Sequence, residues 1–252
     1  MLFRSIVSGG ATIDEVSIRR CMAAFECGFI SLYGSADGVN CHSTLTDSVE
    51  VILSKIGKPN PDVCAIRIID ENNREVAHGQ IGEITARGPM TPLQYVNAPD
   101  LDALYRCKEG WVYTGDLGFI DNDGYLVLSG RKKDIIIRGG ANISPVQIEH
   151  IAVSHPDVIS AACVAVSDPD MGHRVCLCLA MREGSERPSL LEFTRYLYDQ
   201  GLEKNKFPEY LRYYRQLPLS PAGKVDKKQL TAEVECIQSF NSIKMSGSEL
   251  RN

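Results

Sequence analysis

The chain contains 252 residues, of which 44% are hydrophobic and 23% are charged, and this composition is ordinary for a globular protein of one or two domains. The net charge of −5 argues against a nucleic-acid-binding protein, which usually presents a basic face. The sequence has no run of about 18 apolar residues and no signal-peptide pattern, so we expect no membrane span and a cytoplasmic location.

The first fifty residues predict a strand, a helix and a second strand. Apolar residues at 3–8 predict the first strand, which ends at Gly9-Gly10, and those at 29–33 predict the second. Between them, Thr12 and Glu15 form a capping box ahead of an apolar helical stripe. Strands joined through a helix are normally parallel, and parallel sheets are normally large. We therefore expect further strands of this sheet to lie outside the chain, and these two strands to have little to pack against.

The residue pattern of the remaining chain changes twice. Short β-rich segments alternate with turn residues over 49–128, which is typical of a small antiparallel barrel or sheet. From residue 130 onward, capped amphipathic helices alternate with strands at 159–166, 175–181 and 210–217.

We therefore predict an α/β fragment plus a small β-barrel-like subdomain, followed by a compact α+β C-terminal domain. The predicted limits are 1–129 for the first region (a strand–helix–strand unit at 1–48 and a β-rich subdomain at 49–129), 130–235 for the α+β domain and 236–252 for a disordered tail.

Nine cysteines are scattered without a C-x-x-C pair, and their number is odd. This pattern favours reduced, structural cysteines over a zinc site or a disulfide framework. Cys176 and Cys178 alternate with apolar residues, as small buried side chains do in a strand.

Two glycine-rich loops follow the two predicted parallel strands. The first contains Gly9, Gly10 and Ala11, and the second runs from Tyr33 through Gly34 and Ser35 to Asp37. In open parallel sheets, ligands bind beyond the carboxyl ends of the strands, and a carboxylate there can hold Mg²⁺ beside phosphates. The alternatives are a plain strand–helix turn and a solvated turn aspartate.

Three further polar segments are candidates for chemistry. Asp116 lies between two glycines, where a fixed carboxylate suits a pair of ribose hydroxyls, although a turn aspartate is an equal alternative. Arg131 and Lys133 belong to a run of charges at the predicted domain boundary, which is most often a solvated connection. Lys224 ends a turn-rich loop and could bridge carboxylate and phosphate oxygens, although a solvated lysine is commoner.

The order of these motifs is more specific than any one of them. It reads S-G-G-A, Y-G-S-A-D, G-E-I-T-A-R-G-P, W-V-Y-T-G-D-L-G, G-R-K-K-D-I-I-I-R-G-G-A-N-I-S-P-V-Q-I-E and P-L-S-P-A-G-K-V-D-K-K-Q-L. Over residues 3 to about 235, this string resembles the second half of the adenylate-forming superfamily of acyl- and aryl-CoA synthetases, peptide-synthetase adenylation domains and luciferases. It looks most like bacterial acyl-CoA synthetases for short- or medium-chain or alicyclic acids.

The resemblance implies an AMP-forming acid–thiol ligase that uses ATP, Mg²⁺ and CoA. In that family, a carboxylic acid attacks ATP to give an acyl-AMP, and CoA then takes the acyl group after the C-terminal domain swings about a hinge. The implied catalytic residue is Lys224, the hinge residue is Lys133, the metal ligand is Asp37, and Gly139 and Gly140 line the CoA tunnel. The implied nucleotide-binding residues are Gly9, Gly10, Ala11, Tyr33, Gly34, Ser35, Asp116 and Arg131.

The sequence also departs from the family pattern. Ala36 and Asp37 stand where Thr and Glu are usual, Gln94-Tyr95 stands where Gly-Tyr is common, and the family's phosphate loop is not among these residues. We therefore expect the C-terminal portion of a ligase that is inactive as a stand-alone chain, with a separate chain as one possible source of the N-terminal part. The alternative is a non-catalytic remnant that serves as an interaction or nucleotide-sensing module.

Overall fold

The computed structural model describes residues 3–10, 13, 15–221 and 223–236. The chain forms two compact units, Met1–Lys133 and Asp134–Asn252. Among the helices described, none is long and apolar enough to cross a membrane. Of the predicted disordered tail at 236–252, residue 236 belongs to a helix, which contradicts the prediction at that position, and 237–252 lie outside the described residues.

The first unit begins with a three-stranded sheet. Its elements are β1 (Ser5–Gly9), α1 (Glu15–Phe25), β2 (Gly28–Gly34), β3 (Asn40–His42) and α2 (Val49–Ser54). β1 and β2 are parallel, which confirms the prediction from the strand–helix–strand pattern. β3 pairs antiparallel with the other edge of β2 and was not predicted. The predicted cap residue Thr12 lies outside the described residues.

Burial in this sheet differs between β1 and β2. Phe29 is 1% exposed and packs with Ile18 of α1 and Ile52 of α2. The expectation that these strands have little to pack against is therefore wrong for Phe29, because α2, which the sequence pattern did not predict, helps to cover it. Val7 of β1 remains 57% exposed.

The rest of the first unit is a four-stranded antiparallel sheet. It contains β4 (Ala65–Ile69), β5 (Gly82–Arg87), β6 (Val112–Ile120) and β7 (Leu126–Arg131), in that order, with α3 (Pro99–Tyr105) between β5 and β6. The predicted barrel-like closure is wrong, since the sheet is open. The outer edge of β7 meets Gly57 in an isolated bridge to Leu126 instead of pairing with β4.

The second unit is built on a five-stranded mixed sheet. Its elements, after a 3₁₀ turn at Lys132–Asp134, are β8 (Ile136–Arg138), β9 (Ala141–Ile143), α4 (Pro145–Val153), β10 (Val158–Asp168), β11 (Gly172–Met181), α5 (Leu190–Asp199), a second 3₁₀ turn at Lys204–Lys206, β12 (Tyr210–Tyr214) and a helix α6 at 227–236. β11 pairs with β8, β10 and β12, and only its pairing with β12 is parallel. The capping box of Ser189 and Glu192 at the start of α5 is confirmed.

The central strand β11 is buried on both faces. Leu177 and the residues two positions away on either side pack against α4 and α5. Cys176 and Cys178 pack with residues of α6 on the opposite face. Both cysteines are fully buried, and their small apolar side chains fill the core.

Candidate functional site

The carboxyl ends of β1 and β2 lie side by side in the first unit. Gly9 ends β1, and a Cβ atom at this position would lie 2.6 Å from the carbonyl oxygen of Leu32 on β2. Glycine is therefore required here for the two strands to approach each other. Gly10 follows with a positive φ of 84°, whereas Ala11 lies outside the described residues.

The loop after β2 folds into a tight turn. The Gly38 amide donates to the carbonyl of Ser35 at 3.1 Å, and the Asp37 amide donates to the Ser35 hydroxyl at 3.2 Å. Gly38 has a φ of 94°, and a Cβ there would lie 2.4 Å from the Cα atom of Thr91. The predicted residues Tyr33, Gly34, Ser35 and Asp37 thus lie together at the end of β2, on a turn packed directly against the segment that follows β5.

Tyr33, Asp116 and Arg131 form one hydrogen-bonded cluster, which we call the Asp116 cluster. The Tyr33 hydroxyl donates to Oδ2 of Asp116 at 2.7 Å, and Nε of Arg131 lies 3.0 Å from Oδ1. The Asp116 side chain is 14% exposed, whereas that of Arg131 is 52% exposed. The structure therefore brings together three predicted nucleotide-binding residues from β2, β6 and β7 around one carboxylate.

The surroundings of Tyr33 keep its hydroxyl protonated. Burial raises the pKa of the Tyr33 hydroxyl well above its usual value, and the negative charge of Asp116 raises it further. An un-ionised phenol can donate a proton to the carboxylate.

The backbone around Asp116 is held by its neighbours. The Thr114 hydroxyl donates to the carbonyl of Ile84 at 2.7 Å and accepts the Asp116 amide at 3.1 Å. The Gly115 amide donates to Glu83 at 3.2 Å, and the other oxygen of Glu83 pairs with Lys132 at 3.0 Å. This segment of β6 is irregular, with a register shift between Glu83 and Thr85 in its pairing with β5 and another between Leu117 and Gly118 in its pairing with β7.

The remaining predicted site residues lie at the junction and in the second unit. Lys133 is exposed and is the last residue of the first unit, within the 3₁₀ turn. Gly139 and Gly140 form the tight turn between β8 and β9, with φ values of 54° and 84°. Two residues with positive φ are typical of a two-residue hairpin turn, and this explains both glycines without reference to a ligand.

Lys224 lies on a closed loop of the second unit. Leu219 and Val225 form a β-bridge at its base, and the Ser220 amide donates to the carbonyl of Lys224 at 2.7 Å. The Gly223 amide donates back to Ser220 at 2.8 Å, and the Lys224 side chain is exposed. The loop thus presents a lysine to solvent from a short hydrogen-bonded turn.

Sequence reasoning missed two residues that support this site. The Glu83 carboxylate accepts the Gly115 amide next to Asp116, and the Tyr95 hydroxyl donates to the Asp37 carboxylate. The sequence pointed to Tyr95 only as part of the pair Gln94-Tyr95, which stands where Gly-Tyr is common in the family. A pairing across 58 residues depends on tertiary packing, so periodicity could not have revealed it.

Comparison with known proteins places the chain in a family. The AMP-binding enzyme family matches residues 2–96, and the AMP-binding enzyme C-terminal domain matches residues 147–224. The chain belongs to the adenylate-forming, AMP-binding enzyme family. Members of this family are AMP-forming ligases that use ATP and Mg²⁺.

Several curated ligases are similar to the chain. It is 34% identical to pyochelin synthase PchD of Pseudomonas aeruginosa, over 90% of this chain and 41% of that protein. It is 33% identical to the 2,3-dihydroxybenzoate-AMP ligase of Bacillus subtilis, over 88% and 41% respectively. It is also 33% identical to the medium-chain fatty-acid–CoA ligase of Escherichia coli, over 92% and 41%. The chain thus spans about two fifths of the length of these relatives.

Solved structures show the same fold. The amide bond synthetase McbA of Marinactinospora thermotolerans matches with a TM-score of 0.82 and 31% identity, over 92% of this chain and 46% of that one. The o-succinylbenzoate CoA synthetase MenE of Bacillus subtilis, solved with ATP and a magnesium ion, matches with a TM-score of 0.76 and 28% identity, over 90% and 46%. The chain therefore has the adenylate-forming fold, with mixed α/β content and open sheets.

Proposed function

We propose that the chain is the C-terminal portion of an ATP-dependent acyl-CoA ligase, which joins a carboxylic acid to the AMP part of ATP with release of pyrophosphate and then transfers the acyl group to CoA with release of AMP. The observation that supports this proposal best is the Asp116 cluster. A carboxylate oxygen has two lone pairs, so Asp116 can accept ribose hydroxyls in addition to its present donors. Arg131 is half exposed and pairs with the same carboxylate, so its guanidinium can also donate to a ribose bound there.

The chain also offers a carboxylate that suits Mg²⁺. Among the residues described, no group of three or more His, Cys, Asp or Glu side chains could hold a metal on its own. Mg²⁺ is usually held by one or two carboxylates together with substrate phosphates, and Asp37 at the end of β2 fits that arrangement. Its carboxylate is hydrogen-bonded by Tyr95, as metal-ligating carboxylates commonly are by outer partners.

Lys224 supplies the positive charge that the first step needs. When a carboxylate attacks the α-phosphate of ATP, negative charge develops on the transferring oxygens, and a preorganised cation stabilises it. An exposed lysine on a short loop has the reach and the charge for this role. The Mg²⁺ ion, when bound, would neutralise charge on the phosphates.

The choice of CoA as acyl acceptor rests on the resemblance, in which Gly139 and Gly140 line the CoA tunnel. The turn that they form has no side chains, so a slender group could pass close to the backbone. The relatives include aryl-AMP ligases as well as a fatty-acid–CoA ligase, and the acid is therefore proposed only as a class, a carboxylic acid.

Nucleotide binding through Asp116 can be tested with a ligand that lacks one ribose hydroxyl. We expect Asp116→Asn, in the complete protein that carries this chain, to weaken ATP binding about tenfold or more by calorimetry, since a lost hydrogen bond to a charged group costs about 1.5–3 kcal/mol. The same substitution should weaken binding of 2′-deoxy-ATP less, because part of the interaction is already absent. Asp123→Asn, on the exposed turn between β6 and β7, is the control. Equal losses for both nucleotides would contradict contact with the 2′-hydroxyl.

A second measurement separates a ligase from the non-catalytic alternative. ATP–pyrophosphate exchange should depend on a carboxylic acid when fatty, alicyclic and aryl acids are supplied in turn. Nucleotide binding through Asp116 without any acid-dependent exchange would favour a nucleotide-sensing module.

A further inference from the structure

The side chains of Tyr95 and Asp37 are joined by a hydrogen bond, and the roles proposed above assign no function to Tyr95 itself. The Tyr95 hydroxyl donates to Oδ1 of Asp37, and both side chains are partly buried. Because an ionised carboxylate can only accept, the phenol is the donor in this pair.

Tyr95 is held in place from its own segment. Its amide donates to Oδ1 of Asp102 at 3.0 Å, which ties it to α3. Its ring meets that of Tyr105 edge-to-face with centroids 6.3 Å apart. Arg106, just after α3, donates to the carbonyl of Pro92 and so closes the segment on itself. These contacts fix the position of Tyr95, so its hydroxyl is held where it can donate to Asp37.

The Asp37 turn is held equally firmly against this segment. The close approach of Gly38 to Thr91 leaves no room for a side chain between the two backbones. The Cys64 thiol donates to the carbonyl of Gly38 at 3.4 Å, and the Gly88 amide donates to the Thr91 hydroxyl at 3.0 Å. Both partners of the Tyr95–Asp37 bond are thus fixed by contacts other than the bond itself.

We propose that Tyr95 is a positioning residue that orients the Asp37 carboxylate toward a nucleotide-bound Mg²⁺ ion. This inference rests on the proposed function and adds a residue to its metal site. Aspartate has one methylene fewer than the glutamate that is usual at this position in the family. Its carboxylate can therefore move over a shorter distance to meet a metal ion. By occupying Oδ1, the hydroxyl limits the rotation of the carboxylate, and a ligand held in one orientation binds a metal more tightly than one that must be ordered on binding.

The test measures metal affinity instead of turnover. Mn²⁺, used in place of Mg²⁺, is titrated into the complete protein saturated with ATP, and protein-bound Mn²⁺ is followed by electron paramagnetic resonance. We expect Tyr95→Phe to weaken Mn²⁺ binding about 10- to 100-fold, as loss of an outer-shell partner typically does. Nucleotide affinity in EDTA should stay within twofold of the wild type, which shows that the protein is folded. Tyr105→Phe keeps the neighbouring ring, removes a different hydroxyl, and should leave Mn²⁺ affinity unchanged.

A double variant shows whether Tyr95 acts through Asp37. If it does, Tyr95→Phe combined with Asp37→Asn should bind Mn²⁺ no more weakly than Asp37→Asn alone, whereas independent effects would add. Additive losses, or wild-type Mn²⁺ affinity in Tyr95→Phe, would overturn the inference. Wild-type affinity in Asp37→Asn would overturn it as well, while leaving nucleotide binding at Asp116 intact. Failure of the wild-type protein to bind ATP both in EDTA and with metal present would instead refute the proposed function, and the inference with it.

Discussion

The hydroxyl of Tyr33 donates to Oδ2 of Asp116 across 2.7 Å, although 83 residues separate the two in sequence. The bond joins the three-stranded and four-stranded sheets of the first unit at the place where three predicted nucleotide-binding residues meet. It therefore contributes to the stability of the first unit and also sets the direction of the carboxylate that we propose for ribose binding.

Tyr33→Phe should destabilise the first unit. The substitution leaves a carboxylate oxygen of the mostly buried Asp116 without its donor, which costs about 1–3 kcal/mol of unfolding free energy. Trp111 is the one tryptophan of the chain and lies in the first unit, so its fluorescence during urea denaturation reports on this change. Tyr198→Phe, in the second unit and 52% exposed, should shift unfolding by less than about 0.5 kcal/mol. Equal stability of Tyr33→Phe and the wild type would show that water replaces the phenol without loss.

Lys224→Ala should separate the two half-reactions of the proposed ligase. Its charge is needed while pyrophosphate leaves, so acyl-AMP formation should fall roughly 10²- to 10³-fold. Thioester formation from supplied acyl-AMP should change only a few-fold, because no phosphate is then being released. The exposed Lys228, on α6, offers a matched control as Lys228→Ala. A similar loss in both half-reactions would assign Lys224 a structural role.

Local features of the fold could be predicted from the sequence because they depend on residues close together in the chain. The parallel pairing of β1 and β2 follows from the helix between them, and the capping box at Ser189 follows from its spacing to Glu192. Resemblance to a family then identified Tyr33, Asp116 and Arg131, and the structure brings these three side chains into contact.

Features that depend on distant residues could not be predicted in this way. Alternating apolar residues are compatible with a closed barrel and with an open sheet. In the structure, the outer edge of β7 meets Gly57 through an isolated bridge at Leu126, and the sheet stays open. Burial of Phe29 likewise depends on Ile52, the one buried residue of α2, and a helix with one buried residue leaves little periodic pattern in the sequence. The Tyr95–Asp37 bond needs both of its partner segments to be in place.

Leu177→Ala should strongly destabilise the second unit. Leu177 is fully buried in the central strand β11, and truncating such a leucine costs about 2–5 kcal/mol through lost burial and the cavity left behind. Leu191→Ala is the matched control, because Leu191 on α5 is 79% exposed and should change stability by less than about 0.5 kcal/mol. Circular dichroism during urea denaturation measures both. Similar midpoints for the two variants would contradict the assignment of β11 as the centre of this core.

The stability of the first unit should decline at alkaline pH, in part through Cys41. Burial, with a smaller contribution from the nearby Cys64 thiol, raises the pKa of the Cys41 thiol from 9.0 to about 12. Below about pH 9 the thiol is protonated in the folded and unfolded chains alike, so its contribution to stability is fully present. As the pH rises from about 9 toward about 12, the unfolded chain loses this proton while the folded chain retains it, and the free energy of unfolding falls.

Cys41→Ala isolates this contribution. The variant loses some packing at every pH, which lowers its stability by a constant amount, but it has no thiol to ionise. Between about pH 8 and about pH 10.5, its unfolding free energy should therefore decline less steeply than that of the wild type, because only the wild type carries the Cys41 proton. Trp111 fluorescence in urea at several pH values gives both curves. Parallel curves would show that the Cys41 thiol ionises equally in both states, and that its burial in the core does not control its titration.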